Sequence, residues 1–411
     1  MKADIIQEGS LAASELLGIE KKRYLLKKKI VRYLYTSGTK SNPEICKNTN
    51  MSSPTITGLL NELITQGLIE EVGAGASSGG RRPNLFGLKG DSKYVIGIEI
   101  ARFDTSIAIF NINNELIAPI SEFPIILTEE DTLIEKVKNA LENVIEQVSI
   151  DPKKIVAIGI DMPGMIDSAR GINYSHLYNE TETLLLRFER ALGKPCFIEN
   201  DARVAAMGEY RFGLAQKRKN VMCLKVSWGV GLGMILDGKV YQGSTGFAGE
   251  FGHTQMIQEG ELCTCGKRGC LETISSARAL TKFAREGLGQ GKVSILSDTL
   301  ESIDKVTAKS VMAAAHNGDE FSIHILSKVG RELGRGLATL IHLMNPELII
   351  VGGTLAEAAQ YITAPIQASI NKYCIPNISR ETEIVISDLR HLAGVMGAAA
   401  LVWEYVLAET Y

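Results

Sequence analysis

At 411 residues the chain is too long for one ordinary domain and fits two or three. Its 45% hydrophobic and 22% charged residues are globular values, which excludes a disordered or fibrous chain, and no run of about 18 apolar residues could span a membrane. The net charge of −3 is unevenly divided: residues 1–90 carry 13 Lys and Arg against 8 Asp and Glu, and the remainder carries 31 against 39.

A basic head on an acidic body points to a polyanionic partner for the head, although a solvated basic face fits the charge alone equally well. The opening MKADIIQEGSLAAS places acids where a signal peptide is basic and has no long apolar core, so a cytoplasmic protein is expected. Seven cysteines, an odd number in a large chain, do not suggest a disulfide framework.

The first predicted element is a helix from Lys21 to about Thr36, with Leu25, Leu26, Ile30, Val31 and Leu34 at three- and four-residue spacing. A short second helix is expected after Ser37-Gly38, capped by Ser41 or Asn42, with Pro43 in its first turn and Ile45 inward. Thr49-Asn50 breaks the chain. A third helix begins at Ser52-Ser53-Pro54 and turns Ile56, Leu59, Leu60, Leu63 and Ile64 inward, leaving Ser53, Thr55, Thr57 and Asn61 near its outer side. Two short helices around a tight turn, packed on a longer one, make a helix-turn-helix whose small and amide side chains suit base edges and phosphates. LIEEV and NLFGL then read as two strands around the tip GAGASSGGRRP, a β-wing whose Arg81 and Arg82 reach phosphate or a minor groove. The competing reading is a helical protein–protein module with a basic loop. Because such heads read half-sites on double-stranded DNA, a homodimer is expected, and dimers pairing into tetramers stay open.

In the body, YVIGIEIARFDTSIAIFN (94–111) and VMCLKVSWGVGLGMIL (221–236) share a strand-turn-strand rhythm, each followed by further β-rich and helical segments. KIVAIGIDMPG (154–164) and ELIIVGGT (347–354) read as buried strands ending in glycine turns, where α/β sheets bind ligands. The expected fold class is α/β: a winged helix-turn-helix (1–90), a first lobe (91–198, with a C-terminal helix about 394–411) and a second lobe (199–393), with a cleft between the lobes.

Cys263, Cys265 and Cys270 lie within CTCGKRGC, and His253 stands ten residues upstream in GEFGHTQM. One imidazole and three thiolates complete a tetrahedral zinc shell with no open position, so the expected Zn2+ is structural. Gly266 and Gly269 let the backbone fold back to aim the sulfurs. Of the four ligands, the histidine is the one the spacing fixes least.

Taken together, GEFGH with CTCGKRGCLE, IENDARVAAMGE (198–209), GVGLGMILDGKVYQGSTGFAGE (229–250), NPELIIVGG (345–353) and GVMGAAA (394–400) resemble the ROK family of repressors, open reading frames and sugar kinases. With the helix-turn-helix and GGRRP, the chain is similar to the NagC/XylR-type regulators of that family over almost its whole length. The resemblance implies an actin-like, hexokinase-type ATPase fold of two lobes for the body. It also implies a sugar or sugar phosphate held by Asn200, Asp201, Glu250, His253 and Glu272, near the Pro163-Gly164 turn. Carboxylates and an amide suit vicinal hydroxyls, which donate pairs of hydrogen bonds to fixed acceptors.

The resemblance places Asp201 at the kinase base position, so an ATP-dependent sugar kinase with an accessory head is the alternative. Against it, the family kinases' Asp-x-Gly-Gly-Thr loop reads Glu99-Ile100-Ala101-Arg102-Phe103 here. Gly229-Val230-Gly231 lacks the usual threonine, and Arg203 stands where the kinase-like NDxNA motif has Asn. Gly352-Gly353 is retained, as a strand's exit turn also requires. The expected function is therefore a sugar-responsive transcriptional regulator, a repressor rather than an enzyme, with no catalytic residue. A body that docks a protein partner and binds no sugar is a third, weaker reading.

Overall fold

The structure is a computed structural model that describes residues 3, 5–6, 18–74, 82–129, 132–299 and 301–408. The described residues form two compact units, one drawn from Met1–Met162, Ser168–Glu199 and Ala398–Tyr411, the other from Pro163–Asp167 and Asn200–Gly397.

The first unit opens with α1 (Gly18–Ser37), β1 (Lys40–Ser41), α2 (Asn42–Thr49), α3 (Ser53–Thr65), β2 (Ile69–Ala74) and β3 (Asn84–Leu88). Ser41 caps α2: its backbone N–H and its hydroxyl both donate to the Glu44 carboxylate, at 2.8 and 2.6 Å. Asn50 ends α2 in the left-handed conformation, φ 57°, and so makes the tight turn into α3. Ile30, Val31, Leu34, Ile45, Ile56, Leu59, Leu60 and Leu63 are buried together as the core of this head, each contributing about 1.5–3 kcal/mol of burial. Two expected core residues are exposed: Ile64 at 36% and Leu25 at 41%. Each follows a buried residue, Tyr24 or Leu63, and lies just off the edge of the buried stripe, and in α1 Tyr24 and Lys28 take the inward positions instead. Strands β1, β3 and β2 form one antiparallel sheet in that order. Arg82 is exposed beside β3; Arg81 lies outside the described residues.

The same unit continues through β4 (Tyr94–Ile100), β5 (Thr105–Asn111), β6 (Ser121–Phe123), α4 (Thr132–Val148) and β7 (Ile155–Met162). β8 (Ile166–Asp167) falls in the short segment that belongs to the second unit, and the first unit resumes with β9 (Ile172–Asn173), α5 (Leu184–Leu192) and β10 (Cys196–Asn200). Its sheet runs β10-β7-β4-β5-β6, with β4 antiparallel to β5 and parallel to β7. Every residue of β4, β5 and β7 is buried, as continuous apolar runs require when both faces of a sheet are covered.

The second unit contains α6 (Asp201–Phe212), β11 (Val221–Val226), β12 (Val230–Leu236), β13 (Lys239–Val240), α7 (Glu272–Ser275), α8 (Ala277–Gly289), α9 (Leu296–Thr299), α10 (Ala308–His316) and α11 (Glu320–Met344). β14 (Leu348–Gly352), α12 (Ala359–Tyr373), α13 (Pro376–Ser379), β15 (Glu383–Ile386) and the start of α14 (Ala393–Val406) complete it. Its sheet runs β13-β12-β11-β14-β15, an antiparallel hairpin first and parallel strands after. In chain order both sheets read third, second, first, fourth, fifth. The strand-turn-strand repeat at 94–111 and 221–236 is the start of this duplicated topology.

Asp319 caps the long helix α11, accepting from Ser322 N at 2.9 Å, Ser294 Oγ at 2.8 Å and Ile295 N at 3.0 Å. Burial on its own would raise this carboxyl, but the hydrogen bonds outweigh it and hold the group below its ordinary range. A lowered folded-state value means stabilisation present above the unfolded value, about pH 4, and lost as pH falls through the folded one. Asp319→Ala should therefore cost roughly 1–3 kcal/mol at neutral pH. It should also flatten the acid limb of a stability-against-pH curve measured by urea unfolding.

Candidate functional site

After β13 the second unit has little regular structure until α7, and two close approaches hold the segment there. A Cβ on Gly249 would lie 2.0 Å from Leu232 O, and one on Gly252 would lie 2.1 Å from Val230 O. Only glycine admits both contacts, and they press the turn bearing Glu250 and His253 onto β12. The ligand atoms of His253, Cys263, Cys265 and Cys270 all lie within 4.8 Å of one another. His253 Nδ1 is 3.5 Å from Cys263 Sγ, and Cys265 Sγ is 3.7 Å from Cys270 Sγ. A tetrahedron with zinc–sulfur arms of about 2.3 Å has edges of about 3.8 Å, whereas a disulfide would need about 2 Å. The donor set and its spacing therefore fit a closed metal shell. Gly266 and Gly269 have φ of 82° and 75°, the left-handed backbone that folds the cysteine loop back.

Carboxylates gather beside this cluster. His253 Nε2, the nitrogen turned away from the sulfurs, is 3.8 Å from Glu250 Oε2, so one ring can serve the metal and the carboxylate side at once. Glu272 accepts from Val230 N at 3.1 Å, and its Oε1 receives the Thr264 hydroxyl at 3.5 Å from within the cysteine loop. Desolvation by the surrounding protein pushes the Glu250 carboxyl up; His253 and Arg203 oppose this, while Asp201 and Glu272 reinforce it. The half-buried Asp201 has its Oδ2 3.6 Å from Lys225 Nζ on β11.

Asn200 also holds backbone. Its Oδ1 caps α6 by accepting from Ala202 N at 3.1 Å and Arg203 N at 3.3 Å, and its Nδ2 donates to Gly164 O at 3.1 Å. That last bond fastens the Pro163-Gly164 turn to the helix that presents Asp201. Arg203, only 2% exposed, donates to Ile166 O at 3.3 Å and Ala248 O at 3.5 Å. It thereby holds the segment after Gly164 and the loop before Glu250. All the residues expected to touch sugar thus belong to the second unit, each placed by α6, β11, β12 or the metal loop.

The model of the ROK family matches residues 95–404 of this chain. The chain belongs to the ROK family. It is 30% identical over 380 residues to the N-acetylglucosamine repressor of Escherichia coli, covering 92% of each chain. Among solved structures it is similar to a ROK family transcriptional regulator described as a homologue of the E. coli Mlc protein, with TM-score 0.77, 26% identity and coverage of 94% of this chain and 98% of that one. It is also similar to a ROK family glucokinase from Streptomyces griseus solved with glucose and AMPPNP, with TM-score 0.67 and 28% identity, covering 75% of this chain and 98% of the kinase. The body accordingly has the actin-like, hexokinase-type ATPase fold.

In this ROK chain the turn between β4 and β5 closes tightly, Ala101 N donating to Asp104 O at 2.9 Å, with Phe103 55% exposed at its tip. In the β11–β12 turn, a Cβ on Gly229 would lie 2.4 Å from Glu272 Oε2. On the head, Ser53, Thr57 and Asn61 are exposed along one face of α3, while Thr55 is half-buried and its Oγ1 lies 2.9 Å from Ser52 Oγ. Asn42, considered in the sequence only as a cap, donates to Thr57 Oγ1 at 2.9 Å and accepts from Ser53 Oγ at 3.3 Å, locking α2 to α3. Lys225 is the residue that sequence reasoning passed over. Its signal was a lone charge in the otherwise apolar strand VMCLKV, since an unpaired lysine is rarely buried.

Proposed function

We propose that this chain is a sugar-responsive transcriptional regulator of repressor type. Its head reads an operator on double-stranded DNA, and its body binds a sugar or sugar phosphate. The observation that carries this reading is one of coverage. Similarity to the E. coli repressor spans 92% of the chain, whereas the glucokinase spans 75%, and the head is what a free-standing kinase does without. The helix order, the antiparallel β1-β3-β2 sheet and the polar outer face of α3 support a winged helix-turn-helix.

Asp201, Glu250, His253 and Glu272 would accept sugar hydroxyls, with Asn200 and Arg203 holding the segments around them. His253, Cys263, Cys265 and Cys270 would hold a structural Zn2+, which fixes the loop that carries these acceptors. Within a dimer, sugar would favour one placement of the lobes and so change the spacing of the two heads. A tenfold preference between states, about 1.4 kcal/mol, suffices to alter occupancy usefully. Operator binding places the protein with the chromosome, in the cytoplasm.

The kinase alternative rests on Asp201 at the base position. Against it stand Lys225 facing that carboxylate and Arg102 and Phe103 in the first phosphate loop. Purified protein should consume no ATP above background with any free sugar, measured by coupled ADP release. Sugar-dependent turnover would restore the enzyme reading. Thr57→Ala combined with Asn61→Ala should weaken specific operator binding at least tenfold, and unchanged affinity would remove α3 as the reading helix.

A further inference from the structure

Tyr35 stands near the end of α1, the longest helix of the head. Its hydroxyl donates to Asn114 Oδ1 at 2.8 Å, and its ring lies 5.7 Å from that of Trp403, inclined at 46°. Asn114 sits in the turn after β5 with left-handed backbone, φ 61°. Trp403, on α14, is wholly buried, and its indole N–H has no acceptor among the described residues.

Helix α14 begins in the other unit. There Gly397 packs so closely on α6 that an added Cβ would lie 1.9 Å from Val204 O. The first turn of α6 carries Asp201. One continuous helix therefore touches, near its start, the element that presents a sugar carboxylate and, near its end, a tyrosine of the head.

We propose that Tyr35, Trp403 and Asn114 form the joint through which the body positions the DNA-reading head, with Tyr35 as its head-side positioning residue. This rests on the regulator reading. A displacement of α14 would carry the Trp403 ring with it and so alter its contact with Tyr35. Packed contacts of this kind repack between discrete arrangements rather than stretch.

The chain has two tryptophans, so Trp228→Phe leaves Trp403 as the sole indole reporter. In that background, an operator fragment bound by the head should change Trp403 emission, and Tyr35→Ala should abolish the change. Tyr35→Ala should also reduce the sugar-induced shift in operator affinity to under twofold. Sugar affinity by calorimetry and zinc content should stay within twofold of the parent. Tyr35→Phe keeps the ring and loses only the hydrogen bond, so it should retain part of both responses. A Tyr35→Ala protein with the full sugar-dependent shift and the full emission change would overturn the joint. So would loss of sugar affinity alongside, which would mark Tyr35 as a general packing residue. If the parent responds to no sugar, the regulator reading fails by itself, and the emission change on DNA binding alone then decides the joint by its dependence on Tyr35.

Discussion

Cys265→Ser is expected to strip the metal from the second unit and, with it, at least tenfold of the sugar affinity. Between Glu250 and Glu272 the regular pairing consists of two isolated bridges, Gln255 with Cys270 and Leu262 with Arg268. Backbone bonds such as Met256 N to Gly269 O at 2.7 Å and Leu271 N to Thr254 O at 2.9 Å tie the loop as well, and the proposed four-ligand shell would add to them. Structural zinc supplies roughly 10–16 kcal/mol of apparent binding energy in small finger peptides, where binding is coupled to folding. In this chain most of the core lies elsewhere, in the cluster that runs from β11 and β12 through α8, α11 and α12. The loss should thus appear as local unfolding of residues 253–272, with the remainder still folded. Cys265 is exposed while Cys263 and Cys270 are buried, so this substitution removes a ligand without opening a cavity. Metal content by plasma mass spectrometry should fall from one zinc per chain to well below one, with sugar affinity falling in the same protein. A variant that retains both would show that Cys265 is no zinc ligand and would contradict the four-ligand shell.

Glu250→Ala is expected to make a repressor blind to sugar. A carboxylate that accepts hydrogen bonds from sugar hydroxyls contributes about 1.5–3 kcal/mol for each charge-assisted bond. Its loss should therefore weaken sugar binding by roughly 10–100-fold. Glu250 is not a ligand of the cluster, and its neighbour His253 keeps Nδ1 turned to Cys263. Zinc content should therefore be unchanged. The head lies in the other unit, so operator affinity without sugar should also match the parent. Asp201→Asn should have a smaller effect, because an amide still offers one acceptor oxygen, although it leaves Lys225 without its carboxylate partner. The check is calorimetric titration with sugar alongside operator titration without it. Loss of zinc in Glu250→Ala would mean that the carboxylate supports the loop rather than contacting ligand.

The sequence made some of this architecture legible because the governing interactions are local. Ser41, Pro43 and Asn50 mark the ends of α2 within ten residues of one another, and the Cys263-Cys265-Cys270 spacing states its chemistry directly. The two strand-turn-strand repeats were likewise readable from apolar runs, although their shared sheet order depends on distant parallel pairings, Tyr94 with Ile155 in one sheet and Val221 with Leu348 in the other. Side-chain patterns failed where two stripes compete on one helix: Leu25 and Ile64 fit the apolar period yet lie just outside the buried arc. What could not be read were contacts made only by folding. Lys225 meets Asp201 across 24 positions, Arg203 reaches the carbonyls of Ile166 and Ala248, and Tyr35 reaches Trp403. Arg203 was visible only as a departure from a motif; the backbone it holds was not.

Fluorescence anisotropy of a labelled fragment from the gene's own upstream region tests the central claim most directly. Affinity would be measured at fixed salt, because phosphate contacts make it strongly salt-dependent, across a panel of free and phosphorylated hexoses, N-acetylhexosamines and pentoses. The regulator account predicts tight, sequence-specific binding that at least one of these ligands shifts tenfold or more. Tight binding that no sugar alters would contradict it and move control of the head to a protein partner of the body.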